Sequence, residues 1–346
     1  MNYGSDRKSA LQAKSDAQKI AFAPVMFQAA MALRDLGILK CLNEEDGKLT
    51  IDEIATKLKL PVYGVKVLLE AALSLELVYV KDDRFYLTKT GWHVEYDELT
   101  RVNMDFTQDV NYLGMHALTD SVRTGKPEGL KVFGNWKTVY EGLSQLPSKV
   151  QQSWFAFDHF YSDYAFPEIM PLVFRNSPSR IMDVGGNTGK FAMKCLEYDA
   201  SVRVAILDLP GQLEKARKNI TDAGFDGRVE LFPIDLLDHS RPMPSGSDVI
   251  WMSQFLDCFS QHDILELLRR AKEAMDGGSE LFILETYWDK QKYEASTYSL
   301  HATSLYFTNI ANGCSQMYHS DDMLALVEKA GMTVQERTCL SLSFPG

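Results

Sequence analysis

The chain has 346 residues, a length that corresponds to about two domains at roughly 100–200 residues each. It is 45% hydrophobic and 24% charged, which excludes the disordered, collagenous and low-complexity classes. Its formal net charge of −11 argues against a non-specific nucleic-acid binder, because gripping phosphates needs a basic face.

Residues 1–104 read as helices followed by a short hairpin. Ala21 to Leu42 carries apolar residues at helical spacing, namely Phe22, Val25, Met26, Ala29, Leu33 and Leu36. Thr50 with Glu53 three residues on is a capping-box pattern that opens a further helix. After Pro61, Val65, Leu68, Leu69 and Ala72 mark the buried face of the next one. Leu77 to Leu87 then alternates around Asp82-Asp83, a hairpin pattern. Together these predict a winged helix.

A winged helix invites a DNA-binding reading. Residues 1–101 hold 14 Lys+Arg against 15 Asp+Glu, and the helix after Pro61 carries only Lys66 and Glu70. Base readout needs Arg, Lys, Asn or Gln aimed into the major groove. The favoured expectation is therefore a dimerisation or packing module, since the stripe from Phe22 to Leu36 is long for a helix otherwise facing water.

Residues 105–170 read as helical and aromatic-rich, with Tyr112, Phe133, Trp136, Tyr140, Trp154, Phe155, Phe157, Phe160, Tyr161, Tyr164 and Phe166. These rings either fill a core or form one wall of a pocket for a flat substrate. Residues 171–346 alternate β-branched runs with helical stretches. The predicted strands are Arg180–Val184, Val202–Leu207, Arg228–Pro233, Asp248–Ser253 and Glu280–Glu285, with helices from Gly189, Gly211, Gln261 and Ser320. That alternation predicts a doubly wound, Rossmann-like α/β domain with a mostly parallel sheet.

The informative run is Ile181-Met-Asp-Val-Gly-Gly-Asn-Thr-Gly189. A strand ends in Asp-Val and enters a glycine turn, at the carboxyl end of a strand where open α/β sheets bind ligands. Asp183, two positions before Gly185, would repel a pyrophosphate. It suits a ligand with a cationic amino-acid end, such as S-adenosylmethionine. Asp208 ends the second strand 19 residues after Gly189, where a carboxylate can accept both hydroxyls of an adenosine ribose. Asp235 ends the third, within reach of an adenine amino group, with Leu236 against the ring. Each acid alone is as easily a helix cap or a turn residue; three at successive strand ends form a pattern.

With these residues in view, the chain from about 15 to 340 resembles the cation-independent, class I S-adenosylmethionine-dependent O-methyltransferases of the caffeate and bacterial polyketide-tailoring type. The matching runs are Asp183-Val-Gly-Gly-Asn-Thr-Gly, Leu207-Asp-Leu-Pro, Pro233-Ile-Asp-Leu and Phe133-Gly-Asn-Trp. The resemblance implies an N-terminal winged helix that builds a homodimer. It implies S-adenosylmethionine held by Asp183, Gly185, Gly186, Asp208, Leu209, Asp235, Leu236 and Ser253 or Gln254, leaving as S-adenosylhomocysteine. The acceptor would lie against the aromatic helices of 105–170 and 295–310, with Phe155, His159, Tyr306 and Asn309 as candidate contacts.

The sequence departs from this family at one functional position. A Leu-His-x-Trp run is usual after the fourth strand, and its His is the general base; here the run is Leu256-Asp257-Cys258-Phe259. An ordinary Asp, with a pKa of about 3.9, is a weak base for a phenol near about 10, although burial would raise it. Asp257 is thus a base with a raised pKa, or it orients an acidic or amine-bearing substrate. A third reading is that the fold binds its cofactor for N-methylation, hydroxylation or decarboxylation. The plain structural alternative is a surface cap for the helix starting near Ser260. His301 is a substitute base among the aromatic residues 298–307, unless it is simply packed there, and His262 is expected to face solvent. The family's second acid falls near Asp322, which could instead only favour a helix N-terminus.

The expected reaction is methyl transfer to an oxygen of a small aromatic acceptor, with no nucleic acid or membrane partner. No metal is expected at that site. The five cysteines are odd in number, widely spaced and without a CxxC, which predicts no disulfide framework and a reducing compartment. Residues 1–18 hold no apolar core of a leader, and no run of about 18 apolar residues occurs, so a cytoplasmic location is expected.

Overall fold

The computed structural model describes residues 4–44, 48–163 and 165–340, and of these the side chains of His159 and of residues 161–163 stand outside the description, as does Tyr164. The chain divides after Gln108 into two units.

In the first unit, helix α1 spans Ala10–Asp35. It starts well before the expected Ala21, because Ser9 and Gln12 form a capping box. It does not run on to Leu42. Gly37, at φ +73°, turns the chain in a conformation open to glycine, and α2 (Ile38–Glu44) follows. The predicted Thr50–Glu53 box opens α3 (Ile51–Leu58): Glu53 N–H donates to Thr50 Oγ1 at 3.3 Å, and Thr50 N–H to Glu53 Oε2 at 2.8 Å. Helix α4 (Val62–Ser74) buries Val65, Leu69 and Ala72. Strands β1 (Val78–Lys81) and β2 (Arg84–Leu87) pair antiparallel. Asp82 and Asp83 both take positive φ, as the tight primed turn of a hairpin requires. Helices α5 (Lys89–Tyr96) and α6 (Glu98–Phe106) close the unit. Leu33, Ile38, Leu42, Ile54, Leu69 and Phe85 form its core. The apolar stripe of α1 is only half used: Leu33 is fully buried, whereas Phe22 is 58% and Val25 64% exposed.

The second unit begins at Asp109 and takes in most of the aromatic segment expected as a connector. Its helices before the sheet are α7 (Leu118–Thr124), α8 (Val139–Gly142), α9 (Ser148–Asp163) and α10 (Phe166–Val173). The alternating half comprises β3 (Arg180–Val184), α11 (Lys190–Tyr198), β4 (Arg203–Asp208), α12 (Pro210–Asp222), β5 (Val229–Pro233), β6 (Val249–Ser253), α13 (Gln261–Ala274) and β7 (Glu280–Leu284). Helices α14 (Glu294–Tyr306) and α15 (Ser320–Lys329) follow. All five strands pair parallel, in the order β5-β4-β3-β6-β7.

Successive strand side chains point to opposite faces. Met182, Val184, Ile250 and Met252 therefore pack with α13 and α15, while Ile181, Ile206, Val249 and Trp251 pack with α10, α11 and α12. Both faces are covered, as a parallel sheet demands. The strand order reverses between β3 and β6, and the crevice at such a switch point is where this architecture takes its ligand. Among the described residues, no single helix is long and apolar enough to cross a membrane.

Candidate active site

At the switch point, the glycine turn after β3 and the end of β6 enclose a cleft of about 510 Å³, its open mouth included. Asp183, Gly185, Gly186, Ser253 and Gln254 line it, so the structure brings these expected cofactor residues together. The stacked rings of Phe191 and Trp251, with centroids 4.2 Å apart, form part of the wall. Gly185 has φ +74°, and a Cβ there would come within 2.2 Å of the Phe255 ring. A Cβ on Gly186 would come within 2.6 Å of Asp183 Oδ2. Bare backbone at both positions keeps the cleft open beside the carboxylate.

Asp183 is 3% exposed. Burial, reinforced by the charge of Asp208, pushes its carboxyl up to about 8. Its Oδ2 has no hydrogen-bond partner, and neither has the buried Ser253 Oγ. Orphaned polar atoms are costly, and here both belong to residues that line one cleft. Asp208 accepts from Asn187 N–H at 2.8 Å and from Leu209 N–H at 2.6 Å. Burial nevertheless raises its pKa.

Asp235 is exposed at the end of β5 and accepts from Leu237 N–H at 2.9 Å. The expectation for Leu236 needs correction: its side chain is 7% exposed within the sheet core, and neither it nor Asp235 lines the cleft. The alternation after β5 turns Leu236 inward and leaves Asp235 outside.

A second cluster surrounds the turn after β6. Asp257 is 7% exposed. It does not cap α13; that cap is Ser260, whose Oγ accepts from Asp263 N–H at 3.2 Å. Burial pushes the Asp257 carboxyl up to about 6. Beside it stands Glu285, held by N–H donation from Phe255 at 2.9 Å and Leu256 at 2.8 Å. Burial and the neighbouring Asp257 charge push Glu285 well above the usual carboxylate range. Both carboxyls are pushed up, but only Glu285 is raised further by its neighbour's charge, so of the two it is the one that keeps a proton. Cys258 Sγ lies 3.5 Å from Asp257 Oδ1. The Tyr140 hydroxyl is shut off from solvent beside the Cys258 thiol. Tyr306, buried, accepts from Trp154 Nε1 at 2.7 Å. Asp158 links the two regions: it lines the cleft and accepts from Asn187 Nδ2 at 3.2 Å, and its charge reaches Cys258 and Tyr306.

Other expected site residues lie elsewhere. Asp322 is exposed in the first turn of α15, and the acid that stands with Asp257 is Glu285. His301 is half-buried with its ring 5.0 Å from that of Trp288. Phe155 carries Lys215 Nζ 4.7 Å above its ring. Asn309 is fully buried and committed to structure, accepting from Ser121 Oγ at 2.8 Å and donating to Gly114 O at 2.8 Å. An amide so engaged has little left for an acceptor molecule. His159 belongs to α9, and its side chain lies outside the described residues.

Comparison with known proteins decides the family. The model of the O-methyltransferase domain matches residues 116–333, more than half of the chain, and that of the Dimerisation2-like domain matches residues 14–85. The chain belongs to the O-methyltransferase family. It is similar to the L-tyrosine C(3)-methyltransferase of Streptomyces lavendulae, with 24% identity over 94% of this chain and 88% of that one. It is 26% identical to the 3-amino-4-hydroxybenzoate 4-O-methyltransferase of Streptomyces cremeus, over 78% and 72% of the two chains. Among solved structures, the apo form of the S-adenosylmethionine-dependent methyltransferase SibL superposes with a TM-score of 0.72 at 26% identity, covering 96% of each chain.

This methyltransferase therefore uses S-adenosylmethionine, and the cleft residues fit it. Asp183 offers a buried unpartnered carboxyl oxygen for a cationic group, and Gly185 a cradle that a side chain would fill; Asp208 does not line the cleft but holds its turn by accepting from Asn187 N–H. Two residues here escaped the sequence reading, Glu285 and Asp158, whereas Tyr140 was among the rings expected to fill a core or form a pocket wall. Glu285 had a signal, being an acid directly after the fifth strand, as Asp235 lies beyond the third. Asp158 follows Phe155 by three residues, which places both on one side of α9.

Proposed function

We propose that this methyltransferase moves the methyl group of S-adenosylmethionine to the phenolic oxygen of a small aromatic acceptor. Asp257 would take the hydroxyl proton while protonated Glu285 steadies the Asp257 side of the site. When bound, the cofactor supplies an electrophilic methyl on a sulfonium. This chain's part is to position the acceptor, exclude water and accept one proton. A base works best with a pKa near the operating pH, and burial brings Asp257 to about 6. That buried carboxyl pair is the observation that carries the reading. Relatives named for hydroxybenzoate and naphthoate O-methylation support an aromatic acceptor.

A second reading is methylation at the ring carbon beside the hydroxyl. It is supported by the L-tyrosine C(3)-methyltransferase named above, whose match covers 94% of this chain. Both readings begin with the same deprotonation, since a phenolate is nucleophilic at oxygen and at the ortho carbon. In the second, the ring proton leaves after the methyl arrives.

The unit that matches the Dimerisation2-like model would form a homodimer. The exposed apolar residues Phe22 and Val25 on α1, and Val62, Tyr63 and Val67 on α4, support this. The α4 face carries apolar groups where a DNA reader would need Arg or Asn.

The test is a methyl-transfer screen over phenols, aminophenols and aromatic amino acids, with the product's methyl position fixed by NMR. An O-methyl product supports the first reading and an aryl C-methyl product the second. Tight cofactor binding without turnover on any of them would overturn both.

A further inference from the structure

His239, His262 and Asp263 converge away from the residues that line the cleft. A ligand-capable atom from each lies within 4.8 Å of the other two. His262 and Asp263 open α13, and His239 comes from the loop between β5 and β6. The two imidazoles meet edge to face with centroids 5.8 Å apart. His239 Nε2 lies 3.4 Å from Asp263 Oδ1, yet it is shut off from solvent and makes no hydrogen bond. Buried polar atoms are normally satisfied, so this nitrogen asks for a partner. Asp263 is already oriented: its Oδ2 accepts from Ser260 Oγ at 2.5 Å, leaving Oδ1 facing His239. An outer hydrogen bond that fixes a carboxylate is what metal ligands commonly have.

We propose that His239, His262 and Asp263 form a binding site for a divalent cation of the zinc type, with water completing the shell. Two imidazoles and one carboxylate suit zinc in an open three-ligand arrangement. Magnesium and calcium prefer all-oxygen shells. Bound metal would tie the loop beyond β5 to the first turn of α13, the helix that directly follows the Asp257 turn.

The experiment is titration of chelator-treated full-length protein with Co2+, read by its visible d–d absorption, followed by displacement with Zn2+. The proposal expects one saturable Co2+ per chain, displaced by Zn2+ and not by Mg2+. His262 is exposed, so His262→Ala should fold normally, as an unchanged circular dichroism spectrum and unchanged cofactor binding would verify. It should weaken Co2+ binding at least tenfold, and His239→Ala likewise. No saturable uptake by the wild type, or equal affinity in His262→Ala, overturns the site.

Discussion

The backbone N–H of Asn187 donates to Asp208 Oδ2 at 2.8 Å, so the turn after β3 and the acid closing β4 form one hydrogen-bonded unit. Neighbouring strands of the sheet carry the two halves, and their parallel register brings Val184 opposite Leu207 at the ends. The same acid also takes Leu209 N–H.

Replacing this anchor should therefore weaken the cofactor and its product alike. Asp208→Ala removes charged hydrogen bonding of about 1.5–3 kcal/mol, a loss of roughly ten- to a hundredfold in affinity. Calorimetry with S-adenosylmethionine and S-adenosylhomocysteine measures it. Unchanged affinity for either would sink the ribose assignment.

Asp183 carries a linkage with a definite sign. Its folded pKa, about 8, lies far above its ordinary value. The preference for the neutral carboxyl thus stabilises the fold fully below about pH 4 and is lost as pH rises toward about 8. A ligand with a cationic end favours the ionised form instead. Cofactor binding near neutral pH should accordingly release a proton, seen as a dependence of binding enthalpy on buffer ionisation enthalpy. Asp183→Asn should abolish that dependence and flatten the fall in apo-protein melting temperature with pH. A wild type with no buffer dependence would contradict the assigned protonation.

Asp257 should set the acidic limb of the rate profile. With its carboxyl at about 6, activity should rise with pH through that value, because the base must be ionised to accept the acceptor's proton. Asp257→Asn should lower kcat by about 10²–10⁴ and leave cofactor affinity intact. An acidic limb that persists unchanged in Asp257→Asn would assign the titration to another group.

The cofactor half of this site was legible in the sequence because it is local. Asp183, Gly185 and Gly186 lie within one turn, and Asp208 follows by strand length, so strand periodicity placed them together. The acceptor half is assembled from afar. Glu285 meets the Asp257 turn across about thirty residues, and Tyr140 meets Cys258 across more than a hundred. No pattern of spacing encodes such pairings. The resemblance puts a second acid near Asp322, which is exposed, and only packing shows that the acid buried beside Asp257 is Glu285. The length of α1 was misjudged for a local reason, since the Ser9–Gln12 box lies upstream of any apolar periodicity.

Asn309 separates a packing role from a binding role. Its amide joins Ser121 and Gly114, and the approach is so close that a Cβ on Gly129 would come within 2.3 Å of Asn309 Nδ2. Asn309→Ala leaves buried partners unsatisfied, which costs about 1–3 kcal/mol, read as a lowered denaturation midpoint. KM for the acceptor should stay near the wild-type value. A raised KM with unaltered stability would restore Asn309 to the acceptor wall.

The proposed homodimer would rest on an apolar helix face that is exposed in the single chain. On α1, Leu33 is buried while Val25 is 64% exposed and Phe22 58%. A charge placed there faces water in the monomer and is harmless to it; in a dimer it would be driven out of water against an apolar surface, which is strongly unfavourable. Val25→Glu should therefore halve the mass measured by light scattering while the circular dichroism spectrum and melting of the second unit remain as in the wild type. Because Asp183, Asp208 and Ser253, the residues proposed to hold the cofactor, all belong to the second unit, the monomeric variant should still bind S-adenosylmethionine. A wild type that is already monomeric would remove the dimer, and a Val25→Glu chain that stays dimeric would move the interface away from this face of α1.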